Sequence, residues 1–131
     1  MTKYQDMRKK HQDEINAFEG IFWAFNNNQF KEGMEKIGLT VNDTNKISRL
    51  PSGGFILKEK VNDFLSMFKR HDDERQQLKK EEKELLSALV YELQNHEYCI
   101  SYDINPALDA LGFTKEEIDP KILKKACSLA V

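Results

Sequence analysis

The sequence predicts an α+β fold, predominantly α: a single domain over residues 1–131, with five to six helices and a small β-hairpin at about 46–57. Three observations predict it. Apolar residues recur every three or four positions through most of the chain, the period of a helix with one buried face. Gly38 and Gly112 each end such a stripe and are each followed by an apolar residue, the pattern of a helix closed by a left-handed glycine. Residues 40–58 break that period, carry turn residues, and alternate instead.

The elements follow in order. Thr2 is placed to cap a first helix of about 2–18, whose stripe is Tyr4, Met7, His11, Ile15 and Phe18. Arg8, Lys9, Lys10, Asp13 and Glu14 form its solvated face. The segment 21–25, Ile-Phe-Trp-Ala-Phe, is too short to assign by period and reads as a strand or a helical turn. Asn26–Gln29 offers an N-cap and a capping box for a helix of about 27–37, with Phe30, Met34 and Ile37 on one face. The hairpin pairs about 46–50 with 54–57 across the turn Pro51-Ser-Gly-Gly54.

Neither Gly nor Pro occurs from Lys58 to Asp103. Val61, Phe64, Leu65 and Phe68 make one stripe, continued by His71. Leu78, Leu85, Leu86, Leu89 and Leu93 make another, continued by His96. Two helices with a bend near 77–82 fit better than one helix of unusual length. Tyr98–Tyr102 alternates, which predicts an edge strand added to the hairpin. Asn105-Pro106 reads as an N-cap with Pro at the first helical position, opening a helix that ends at Gly112. Thr114–Glu117 is a capping box, and Asp119-Pro120 caps a last helix with Ile122, Leu123, Ala126 and Leu129.

Composition narrows the function. The chain is 40% hydrophobic and 32% charged, the balance of an ordinary globular domain. Twenty Lys and Arg against 22 Asp and Glu give a net charge of −2, which speaks against a basic nucleic-acid binder and against an acidic DNA mimic. No apolar run is long enough to cross a membrane, and MTKYQDMRKK has no apolar signal core, so the expected location is the cytoplasm. Cys99 and Cys127 form neither a C-x-x-C pair nor a disulfide framework. No cofactor is implied.

Three constellations carry possible chemistry. Each histidine has a carboxylate one helical turn away: His11 with Glu14, His71 with Glu74, His96 with Glu92. Such pairs point the same way and can share a proton or, if their helices converge, ligate one metal. The bland reading places each His at a core boundary. Leu111–Ile118 is similar to the turn of a helix-turn-helix, but Glu116, Glu117 and Asp119 are acidic and Pro120 interrupts the would-be recognition helix. Phe22, Trp23 and Phe25 exceed what one amphipathic face needs, and a Trp-containing aromatic segment is what protein interfaces favour.

The pattern Phe22-Trp-Ala-Phe25, Gln29-Phe30, Gly33-Met34, Gly53-Gly-Phe-Ile56, Asn95-His-Glu-Tyr98 and Leu108-Asp-Ala-Leu-Gly112 resembles an uncharacterised family of small proteins from phages and conjugative elements of Gram-positive bacteria. Where that family is longer and richer in Gly between the central helices, this chain has Lys79–Lys83. The resemblance implies the setting of a mobile genetic element, and by analogy with the accessory proteins of such elements the leading expectation is a non-enzymatic binding protein, such as an anti-CRISPR-like inhibitor acting by steric occlusion. Its expected partner is a protein, for example a host defence nuclease complex, with Phe22, Trp23 and Phe25 as the contacts. The alternatives are a metal- or small-ligand-binding enzyme using the His/Glu pairs, and a DNA-binding regulator.

Overall fold

The computed structural model describes residues 2–131. It is mostly helical, as the sequence predicts, and the expected hairpin is extended by a third strand into a three-stranded antiparallel sheet. The chain forms two compact units. One contains the N-terminal stretch through Gln12 together with Lys69–Val131, and the other is Asp13–Phe68. The division falls inside the first helix, α1 (Lys3–Ala17), and inside the third, α3 (Val61–Gln77).

The unit Asp13–Phe68 holds the sheet. Strands β1 (Ile21–Trp23), β2 (Ile47–Leu50) and β3 (Gly54–Leu57) lie in the order β1-β3-β2. The expected hairpin is β2–β3, in register Ile47 to Leu57 through Leu50 to Gly54. The segment left open between strand and helical turn is the third strand, with Phe22 opposite Phe55 and Trp23 opposite Gly54. The ladder runs past both ends of β1: Leu57 N donates to Gly20 O (2.9 Å) and Ala24 N to Gly53 O (3.1 Å).

Helix α2 (Asn27–Lys36) covers one face of this sheet, packing Met34 against Phe22 and Ile47. Its ends are set by local chemistry. Asn26 accepts from Gln29 N (2.8 Å), and the Gln29 side chain reaches one residue further back than a capping box requires, accepting from Phe25 N (2.8 Å). At the other end Gly38 has φ 83°, and Leu39 N donates to Met34 O (2.8 Å), closing the helix by the 6→1 bond of a Schellman motif.

The other unit is built around α4 (Glu82–Asn95), which buries Leu85, Ala88, Leu89, Glu92 and Leu93. These positions repeat at three and four residues, so they form one continuous face. Against that face lie Leu108 and Leu111 of α6 (Asn105–Leu111) and Leu123 and Ala126 of α7 (Pro120–Leu129). The bend between α3 and α4 is where the polar stretch places it: a 3-10 turn at Leu78–Lys80, then Glu81 in extended conformation. Leu78 is buried in the same core and anchors the turn.

Two expectations are corrected. Tyr98–Tyr102 is not an edge strand: Tyr98–Ser101 is a single helical turn, α5, between Glu97 and Tyr102, both in left-handed conformation. Tyr102 N donates to Tyr98 O (2.8 Å), and the two rings meet edge to face at 5.7 Å, an i,i+4 contact that alternation hides. Asn105 is the first residue of α6 rather than its cap; the Asp103 side chain accepts from Asn105 N (3.0 Å) and leads the chain into the helix.

The capping box at 114–117 yields a pH prediction. Glu117 accepts from Thr114 N (3.0 Å) and Thr114 Oγ1 (2.9 Å), and its other oxygen pairs with Lys79 Nζ. Lys79, then the Thr114 backbone N–H, hold its carboxyl down from 4.5 to about 2. A depressed carboxyl stabilises the fold above its unfolded value and loses that contribution as pH falls through the folded one. Glu117→Gln is therefore expected to melt below the wild type at neutral pH. The gap should close between pH 4.5 and about 2, as read by thermal melts across that window.

Candidate functional site

Two arrangements stand out, one in each unit. In the sheet unit, side chains alternate across β1, so consecutive aromatics go to opposite fates. Phe22 points under α2 and is 6% exposed, stacked on Phe55 at 5.2 Å and edge-on to Phe30 at 5.9 Å. Trp23 is 53% exposed and Phe25 is 75% exposed. The expectation that Phe22 contacts a partner is corrected: Phe22 is core and holds the strand that presents its neighbours.

The turn glycines make room for those neighbours. A Cβ on Gly53 would lie 2.7 Å from the Phe25 ring, and one on Gly54 would lie 3.2 Å from Trp23 Nε1. Gly53 also has φ 84°, which a side chain disfavours. The Pro51–Gly54 turn is thus more than a reversal. It is the surface against which both exposed rings rest, while Gln29 pins the Phe25 backbone.

In the other unit, α1 places Tyr4, Arg8 and His11 on one face at spacings of four and three. Glu92, on α4, is 1% exposed. It accepts from Tyr4 OH (3.0 Å) and forms ion pairs with Arg8 Nε (3.1 Å) and His96 Nε2 (3.2 Å). Burial first, then the Glu92 charge, push the Tyr4 phenol well above its ordinary value, so it stays a donor. Arg8 also lies 5.5 Å over the Tyr91 ring. Arg8 is exposed, as expected of the solvated face, and its Nε reaches the buried Glu92 from that edge of the helix.

Next to this, His11 and His71 stack with ring centroids 3.8 Å apart and planes 16° from parallel. His11 Nε2 is paired with Glu74, whose other oxygen lies 3.4 Å from Arg70. The hydrogen bond from His11 is the main reason the Glu74 carboxyl lies below its usual range. Of the six expected metal ligands, His11, His71 and Glu74 come together and His96 joins Glu92, while Glu14 belongs to the sheet unit. A nitrogen lone pair lies in its ring plane, so two stacked rings do not aim theirs at one point. Among the described residues no three His, Cys, Asp or Glu side chains form a metal-holding group. In this cluster Glu92 answers Tyr4, Arg8 and His96, Glu74 answers His11 and Arg70, and the His71 ring stacks on His11.

Other expectations resolve more simply. Thr114–Glu117 and the Asp119 cap sit at a helix junction, with Asp119 accepting from Lys121 N (2.9 Å), as capping chemistry requires. Cys99 is exposed and Cys127 partly buried, and both are free thiols. Among the described residues no helix is long and apolar enough to cross a membrane.

No curated protein and no solved structure matches the chain. A family model does, over residues 3–130, nearly its whole length: the chain belongs to DUF7659, a family of unknown function.

Proposed function

We propose that this chain is a non-enzymatic binding protein that docks a protein partner through Trp23 and Phe25 and acts by covering the partner's surface. One observation carries the reading: two large aromatic side chains stand exposed, at 53% and 75%, on backbone held by the sheet, the Gln29 side chain and the turn glycines. Exposed rings on a fixed scaffold lose little conformational freedom on binding, which is why Trp and other aromatics dominate interface hot spots. The resemblance to small proteins of phages and conjugative elements makes a host defence nuclease complex the partner to try first.

The test is capture of that partner by wild type, Trp23→Ala and Phe25→Ala, with a thermal melt of each. A hot-spot truncation weakens binding by about 2 kcal/mol or more, roughly thirtyfold. Removing so exposed a ring should cost the fold less than about 1 kcal/mol. Capture that survives both substitutions, or variants that unfold, would overturn the assignment.

A further inference from the structure

A groove of about 460 Å³ opens beside Phe25, between the start of α2 and strand β2. Its wall is aromatic: Phe25, Phe30 and Phe55, the last two edge to face at 5.2 Å. Its rim carries amides and hydroxyls, among them Asn27 and Ser48. Among the described residues that line it, Arg49 is the one charged side chain. The guanidinium carbon lies 6.0 Å from the Phe55 ring centroid, and no described carboxylate comes within ion-pair distance of it. Several other cations, by contrast, pair with an acid three or four residues away: Lys46 with Asp43, Lys69 with Asp73, Arg70 with Glu74, Arg75 with Asp72.

We propose that this groove receives a peptide segment of the partner in which an aromatic side chain stands next to a carboxylate. The inference rests on the reading of this face as a protein-docking surface and names the chemistry it selects. The aromatic wall takes the ring, in the edge and offset contacts that phenyl groups prefer. Arg49 takes the carboxylate, because a planar fork of donors already lying over Phe55 is oriented for two parallel hydrogen bonds. A cationic segment would meet like charge, and a neutral one would leave Arg49 unanswered. Single-stranded nucleic acid also stacks on aromatics, but it needs a row of cations along its backbone, and one arginine does not make a row.

The experiment is an amide-resolved NMR titration of the full chain with three blocked dipeptides: acetyl-Asp-Phe-amide, acetyl-Asn-Phe-amide and acetyl-Lys-Phe-amide. The Asp peptide should shift the groove amides saturably. The Asn peptide should bind about two- to fivefold more weakly, the worth of one exposed ion pair. The Lys peptide should be weaker still. Arg49→Gln, a change on an exposed edge strand, should bring the Asp and Asn peptides level. Equal binding of all three, or shifts away from the groove, would overturn the inference. So would 3-phenylpropionate binding as tightly as the Asp peptide, which would make the ligand a free aryl carboxylate, or oligothymidine saturating the same amides.

Trp23 is not among the groove residues, so Trp23→Ala should leave the peptide titration intact while reducing partner capture. If the peptides fail while capture still depends on Trp23, the groove inference falls and the docking surface stands. If the peptides behave as expected while capture ignores Trp23, the surface reading falls.

Discussion

Gly33→Ala is expected to destabilise the sheet unit by about 2 kcal/mol, against the direction helix propensity gives. In an open helix interior the same change stabilises by about 1 kcal/mol. Here a Cβ would stand 2.1 Å from Cδ2 of Phe22 and within 2.6 Å of two more of its ring atoms. That ring has no room to retreat: it is stacked on Phe55 and braced edge-on by Phe30. Overpacking a braced core costs about 1–3 kcal/mol, and this overlap belongs at the upper end of that range. The protein's one tryptophan, Trp23, follows Phe22 directly and reports the unit by fluorescence. Denaturant melts followed at Trp23 should move to lower midpoint in Gly33→Ala and recover in part in Gly33→Ala with Phe22→Leu, whose smaller side chain vacates the clash. If the single variant is as stable as wild type, the α2–β1 packing described above is wrong, and with it the support for the exposed aromatics.

Much of this architecture was legible because it is written in local chemistry. The Schellman ends at Gly38 and Gly112, the cap at Asn26 and the capping box at Thr114 each involve residues within six positions of one another. The bend at Leu78–Lys80 was legible from a gap in hydrophobic period. What failed depended on partners far along the chain. Residues 98–102 alternate like a strand, but no sequence pattern says which strand lies beside β3. That partner came from β1, thirty-odd residues before β3, and a five-residue alternation carries too little period to outvote a helical turn. The candidate sites divide in the same way. Composition marked 21–25 as too apolar for one face. It could not tell Phe22 from Trp23, because which face of a strand is buried is set by the sheet's register and by what packs on it. The histidines were visible as stripe ends, each with a carboxylate one turn away. The His96–Glu92 pair formed as read, while His11 found Glu74, 63 positions on.

Glu92→Ala is expected to cost the other unit about 3 kcal/mol, the largest single loss foreseen here. The carboxylate is buried and answers three groups, Tyr4, Arg8 and His96. Removing it opens a cavity beside Leu89 and Leu93, and leaves the buried Tyr4 hydroxyl without its acceptor. Breaking a buried pair costs about 3–5 kcal/mol; Arg8 is half-exposed and can turn to water, which keeps the loss at the lower end. Arg8→Met should also destabilise, because it takes from a buried charge its one permanent cation. The informative variant is the double, Arg8→Met with Glu92→Leu. Where a buried ion pair serves only to hold helices in register, replacing both partners by apolar side chains of similar size restores stability. Recovery of the double toward wild type would make the Tyr4–Arg8–Glu92–His96 group a structural device of α1 and α4. A protein that lost nothing on Glu92→Ala would argue the reverse: a carboxylate kept buried at a cost to no purpose of folding is a carboxylate kept for chemistry, and the histidines beside it would then replace the aromatic face as the place to look for function.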